Sequence, residues 1–306
     1  MIVSVSRRTD IPAFYLDWFL NRLETGYVST LNPFNRKQVT KLSLLKEDVD
    51  CFVFWTKDGR NLLKNIDKLS EYNYYINYTI TPYSKDLEPG LPNKQILVDN
   101  FIALSKSLGK SRVKWRYDPV LINEIYTIDY HRKTFELLCK TLSNHTEEVV
   151  ISFVDLYKKT KRNTEGHNLV ELSKSDMLKI ADAFSTIAKR YNLTLKTCSE
   201  SIDLTHYAIE KNQCVDTKFI NETFNLNLVH EKDPSQRSAC LCAKSVDIGA
   251  YNTCRHGCKY CYATFNHKRV NTQINKHDPD SELLIGHLQG DETIKVKKES
   301  PSLFKL

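Results

Sequence analysis

Short apolar runs alternate with longer amphipathic stretches through residues 1–200. Residues 2–6, 49–55, 74–81, 113–117, 149–154 and 193–197 read as strands, rich in β-branched and aromatic residues. The run 149–154 is apolar nearly throughout, as a parallel strand covered on both faces must be. Helical periodicity fills the gaps. Phe14, Trp18 and Leu23 mark one helix, with Asp10 as its cap and Pro12 in its first turn. Leu62, Ile66 and Leu69 mark another, and further helices cover about 92–108, 128–142 and 172–191. Residues 27–44, with a turn at 32–35, read as a hairpin.

Strands alternating with helices predict an α/β fold with a parallel sheet and right-handed crossovers. An open doubly wound sheet and a partial (β/α)6 TIM-like barrel both fit the pattern. No glycine-rich phosphate loop follows any strand, which argues against a dinucleotide fold. Beyond residue 202 the character changes. Helical patches at 202–210 and 216–224 precede a turn-rich stretch to 265 that carries most of the cysteines. A charged tail follows from 275, with an apolar patch at 283–285. The chain therefore divides into an α/β unit over 1–200 and a Cys-rich extension over 201–306.

Of the 9 cysteines, only Cys51 and Cys139 precede residue 198, and their apolar surroundings mark them as small buried hydrophobes. Cys254, Cys258 and Cys261 stand in Cys-x3-Cys-x2-Cys spacing. Three thiolates on one tight loop can hold three irons of a [4Fe-4S] cluster and leave the fourth iron open to a small molecule. Gly257 permits a tight turn beside them. Cys198, Cys214, Cys240 and Cys242 remain, the number that closes a second, auxiliary cluster. Zinc is the competing reading. Cys258 and Cys261 form a Cys-x2-Cys pair, which Cys240, Cys242, His256 or His267 could complete.

Composition narrows the setting. With 41% hydrophobic and 26% charged residues the chain is that of a folded soluble protein. No apolar run is long enough to span a bilayer, and the N-terminus lacks a signal-peptide core. A reducing cytoplasm is expected, where thiols remain available as ligands. The net charge of +7 permits an anionic substrate or nucleic acid without marking a basic stripe.

Polar residues recur where the predicted strands end. They are Arg7, Arg8 and Asp10 after the first, Lys57 after the second, and Arg116 and Asp118 at the fourth. Asp155 follows the fifth and Glu200 the sixth. In a barrel such ends converge on the face where active sites are built. Arg7, Arg8, Lys57 and Arg116 suit a carboxylate or phosphate. Asp118, Asp155 and Glu200 suit a cofactor's ribose or amino group, or pair with those cations. Loop residues making local ion pairs would give the same pattern.

Segments SRRTDIPAFY at 6–15, NPFN at 32–35, FWTK at 54–57, WRYDP at 115–119, SFVDLY at 152–157 and DIGAYNTC at 247–254 together resemble the bacterial domain-of-unknown-function family 1848. The cysteine segment is similar to that of spore photoproduct lyase and other radical S-adenosylmethionine (SAM) proteins. That resemblance implies the partial barrel, a [4Fe-4S] cluster, and reductive cleavage of SAM to a 5'-deoxyadenosyl radical. It also implies an adenine-facing role for Tyr260 and an electron donor such as flavodoxin or ferredoxin. The cysteines here follow the last strand instead of the first, which implies a circularly permuted arrangement. The alternative is a zinc- or cluster-stabilised module that binds nucleic acid or a protein partner.

Overall fold

The computed structural model describes residues 1–297. Its strands are β1 (Ile2–Val5), β2 (Tyr27–Asn32), β3 (Asn35–Ser43), β4 (Cys51–Thr56), β5 (Tyr74–Thr79) and β6 (Val113–Val120). β7 (Glu148–Phe153), β8 (Thr194–Thr197), β9 (Glu210–Lys211), β10 (Val246–Asp247) and β11 (Thr293–Lys297) follow. The helices are α1 (Ile11–Phe14), α2 (Leu16–Thr25), α3 (Arg60–Lys64), α4 (Lys94–Leu108) and α5 (Ile128–Leu142). α6 (Lys158–Asn163), α7 (Lys174–Arg190), α8 (Thr217–Phe224) and α9 (His267–Ile274) complete them.

One sheet carries eight strands in the order β10-β1-β4-β5-β6-β7-β8-β9, every pair parallel. Apart from β10, the order follows the chain and never reverses, so the sheet is not doubly wound. It does not close on itself, because β10 and β9 are its edges. β2 and β3 form the expected hairpin, and β11 adds to it in parallel beside β3. Residues 298–306 of the predicted charged tail lie outside the described residues.

Side chains alternate between the two faces of each strand. One face presents Val3, Val5, Phe52, Phe54, Tyr74, Ile76, Trp115, Tyr117, Val149 and Ile151, all buried. They share a core with Trp18 and Phe19 of α2, Phe101 and Leu104 of α4, Phe135 and Leu142 of α5, and Ile180 and Phe184 of α7. All four long helices thus cover the same face. The other face presents Ile2, Cys51, Val53 and Tyr75, and it packs against Cys214, Val215, Ile220, Cys240, Cys242 and Ala243. The segment after β9 is therefore the lid of the second face.

Local departures from the sequence reading have local causes. The helix expected over 62–69 stops at Lys64 and resumes as a 3-10 turn over Ile66–Leu69. Asn65 stands between them, with its side chain on the Asn61 carbonyl. The helical patch expected at 202–210 holds only a 3-10 turn, Thr205–Tyr207, and then β9. Asp203 holds the Thr205 amide and hydroxyl, and Ala208 turns left-handed at φ 55°. The fourth strand runs on through Asp118 and Pro119 to Val120. Its pairing with β7 shifts register there, as expected where proline supplies no amide hydrogen.

The helix-facing core centres on Phe135, stacked on Phe184 with ring centroids 3.9 Å apart and on Trp115 at 5.5 Å. Phe135→Ala removes the ring shared by α5, α7 and β6. It is expected to cost about 3–5 kcal/mol. Denaturant unfolding followed by circular dichroism measures this, and a change below about 1 kcal/mol would contradict the assigned packing.

Candidate functional site

Because β10 lies parallel to β1, the segment that follows it starts at the C-terminal ends of the strands. This segment, 248–262, carries Cys254, Cys258 and Cys261. Its root is Asp247, which accepts from Ser4 Oγ at 2.7 Å, Ser6 Oγ at 2.5 Å, the Arg7 amide at 2.8 Å and the Gly249 amide at 3.0 Å. Tyr15 donates to the Thr253 carbonyl at 2.6 Å, and His256 Nε2 meets Asp10 Oδ2 at 2.8 Å. The loop is thereby tied to the segment that follows β1.

Asp10 caps α1 through the Ala13 amide and also binds Thr56 Oγ1 at 2.8 Å and the Lys57 amide at 2.7 Å. It is a joint between strand ends, and its carboxylate is saturated by these partners.

A second anchor is Glu88, which sequence reasoning missed. Its side chain is 1% exposed. One oxygen accepts from Lys57 Nζ at 2.8 Å, from Thr81 Oγ1 at 2.7 Å and from the Tyr260 hydroxyl; the other meets Lys94 Nζ. Burial opposes the charge, but the two ammonium groups win and lower the carboxyl to about 2. Burial likewise opposes the Lys57 charge, which Glu88 and then Cys258 more than offset, raising its pKa.

Two glycines show how closely the loop is seated. A Cβ on Gly90 would meet the carbonyl oxygens of Arg255 and His256 at 2.6 and 2.7 Å. Gly257 adopts φ +68°, a left-handed conformation.

The three loop thiols influence one another electrostatically, and Cys258 also senses Lys57, Glu88 and Lys94. Burial pushes Cys254 well above the usual thiol range and Cys258 up to about 12. A metal would therefore displace protons on entry, and the two lysines would balance part of the thiolate charge. Three neighbouring sulfurs on one loop, with cations beside them, fit the donor set of an iron–sulfur cluster with one open iron. Among the described residues no three His, Cys, Asp or Glu side chains surround one point closely enough to ligate a single ion.

The other strand-end residues divide. Arg7 faces Asp247 and Asp233 at 3.7 and 3.6 Å and lies over Trp55. Arg8 reaches the Gly249 carbonyl and lies over the Tyr251 ring. Arg116 is buried, pairs with Asp118 and donates to Cys214 Sγ at 2.8 Å. Asp118 also accepts from Ser152. Asp155 sits at the surface with Arg237. Glu200 accepts the Phe153 amide at 2.8 Å, and burial, with Asp155 and Asp118 nearby, raises it to about 7. Tyr260 is 8% exposed, edge-on to Tyr83, so its ring lies in an aromatic cluster with Leu87 and Tyr126.

Glu88 had a faint signal in the sequence: with Asp86, it is one of two acids in a proline-rich loop after a strand. Asp247 stood inside the quoted segment 247–254 without a predicted role.

The sequence model of the family described as Domain of unknown function (DUF1848) matches residues 2–263. No curated protein and no solved structure matches the chain.

Glu88→Gln leaves Lys57 and Lys94 without their anion and is expected to cost about 3–5 kcal/mol. The pH dependence has a definite sign. A carboxyl lowered on folding stabilises above its unfolded value of 4.5, and that contribution is lost as pH falls through about 2. Urea midpoints at pH 7 and pH 3 should therefore fall further in the wild type than in the variant. Equal drops would show that Glu88 is not held as a carboxylate.

Proposed function

The chain belongs to the DUF1848 family, and on that premise we propose that it is a radical SAM enzyme whose reaction centre is the Cys254–Cys258–Cys261 loop. The observation that carries the reading is the docking of that loop across the strand ends through Asp10–His256 and Glu88–Tyr260. When bound, a [4Fe-4S] cluster with one open iron supplies an electron for reductive cleavage of SAM to a 5'-deoxyadenosyl radical.

The open, singly wound sheet is read as a partial (β/α)6 barrel over 1–200, with the described residues from 201 to 297 as the packed extension. β10 supports a permuted order. It lies outside β1 at the sheet edge, so the cysteine loop follows the edge strand in space although that strand is the last of its sheet in sequence.

The chain's own residues then take these tasks. Lys57 and Lys94 offset thiolate charge beside Cys258, and Glu88 fixes both lysines together with Tyr260. Asp10 and His256 set the loop's height over β1 and β4. Arg8, a quarter exposed beside Tyr251, is the cation best placed to meet an anionic substrate. Glu200, titrating near neutrality, can hold or release a proton at its carboxyl. Flavodoxin or ferredoxin would supply the electron. The free thiols suit a reducing cytoplasm, and among the described residues no helix is long and apolar enough to cross a membrane.

Anaerobic incubation of the iron- and sulfide-reconstituted, dithionite-reduced protein with SAM should yield 5'-deoxyadenosine. Cys258→Ala should abolish it while leaving the far-ultraviolet dichroism unchanged. A folded protein carrying an intact cluster and yielding none would sink the proposal.

A further inference from the structure

Four more thiols meet on the second face of the sheet, apart from the loop. Cys198 follows β8, Cys214 lies between β9 and α8, and Cys240 and Cys242 precede β10. Cys198 Sγ and Cys214 Sγ are 3.4 Å apart. Cys214, Cys240 and Cys242 also influence one another electrostatically. Cys214, Cys240 and Cys242 are buried.

The surroundings suit sulfur anions. Arg116 Nη1 points at Cys214 Sγ from 2.8 Å, and Asn212 Nδ2 from 3.3 Å. Arg7 acts on Cys240 and Cys242 electrostatically, and its buried Nη1 has no hydrogen-bond partner. A guanidinium spent on a sulfur inside the protein is a charge-assisted contact, expected of a thiolate and not of a buried thiol serving as a hydrophobe.

Three separate segments of chain supply these sulfurs. A single tetrahedral thiolate ion wants its sulfurs about 3.8 Å apart, given a metal–sulfur distance near 2.3 Å. The Cys198–Cys214 pair already lies at that scale. As they stand, the four do not surround one point closely enough to ligate a single ion. Cys240 and Cys242 lie outside regular secondary structure, so closing the site takes only side-chain and loop adjustment there.

We propose that Cys198, Cys214, Cys240 and Cys242 form a second, closed metal centre, a four-thiolate site for a thiophilic metal, which staples the extension onto the sheet's second face. The shared chemistry is sulfur ligation: one zinc-class ion suits the Cys198–Cys214 spacing as it stands, and a four-iron cluster, whose thiolates bind separate irons, requires that pair to part. With every position taken by protein, the centre is structural and leaves no site for substrate. It does not rest on the radical reading.

The test uses the full chain with Cys254, Cys258 and Cys261 all changed to Ala, supplied anaerobically with zinc or with iron and sulfide. About one zinc, or about four irons with broad visible absorption, should remain per chain, and the two results tell the sources apart. X-ray absorption at the metal edge should give a shell of four sulfurs. Adding Cys214→Ser or Cys242→Ser should remove the metal and lower the melting temperature. If these variants do not fold, the single variant Cys258→Ala decides: it should keep about one zinc, or about four irons, per chain. A folded triple or Cys258→Ala variant without metal, or a Cys198–Cys214 disulfide in place of metal, would overturn the proposal. None of these readouts depends on deoxyadenosine formation.

Discussion

A parallel sheet must be covered on both faces, and here every long crossover helix covers the same one. That constraint shapes the rest of the molecule. The second face carries Tyr75, Asn77, Lys114 and Arg116, mixed apolar and charged, and helices alone do not satisfy it. The segment after β9 folds over it, bringing Val215, Ile220 and the paired thiols. Its return strand, β10, joins the open edge beside β1 and delivers the three-cysteine loop to the strand ends. Coverage of the sheet and placement of the site are one event.

Buried charge keeps that placement specific. Glu88, Asp10 and Asp247 each carry several donors from segments far apart in the chain. An anion with unfilled acceptors is costly in a dry interior, so each carboxylate tolerates few alternative positions for its partners. The loop is held by geometry that a hydrophobic contact would not enforce. The close passage of Arg255 and His256 over Gly90 adds a steric limit.

Strand-end residues of the same type proved unequal. Lys57 is deep beneath the three-cysteine loop and Arg116 deep beneath the extension, each matched with a carboxylate and a sulfur. Asp155, one strand along, pairs with Arg237 at the surface. Position after a strand puts a residue on the right face, and depth beneath the loop decides whether it is drawn into the network. Tyr260 illustrates the same point, since its hydroxyl is engaged by Glu88 and its ring by Tyr83.

The sequence by itself determined six strands of the main sheet, the hairpin, the long helices, the cysteine spacing and the clustering of polar residues at strand ends, because these follow from local periodicity and turn chemistry; β9, β10 and β11 are too short or too polar to show such a pattern. It left open whether helices line one face or two, since a single strand reads the same in either winding. Glu88 and Asp247 received no role from the sequence for a related reason: a carboxylate is ordinary until distant donors surround it. Only tertiary structure decided that β10 sits beside β1 and that the Cys198 and Cys214 thiols touch, because those contacts join segments apart in the chain, in the strand pair by 243 positions.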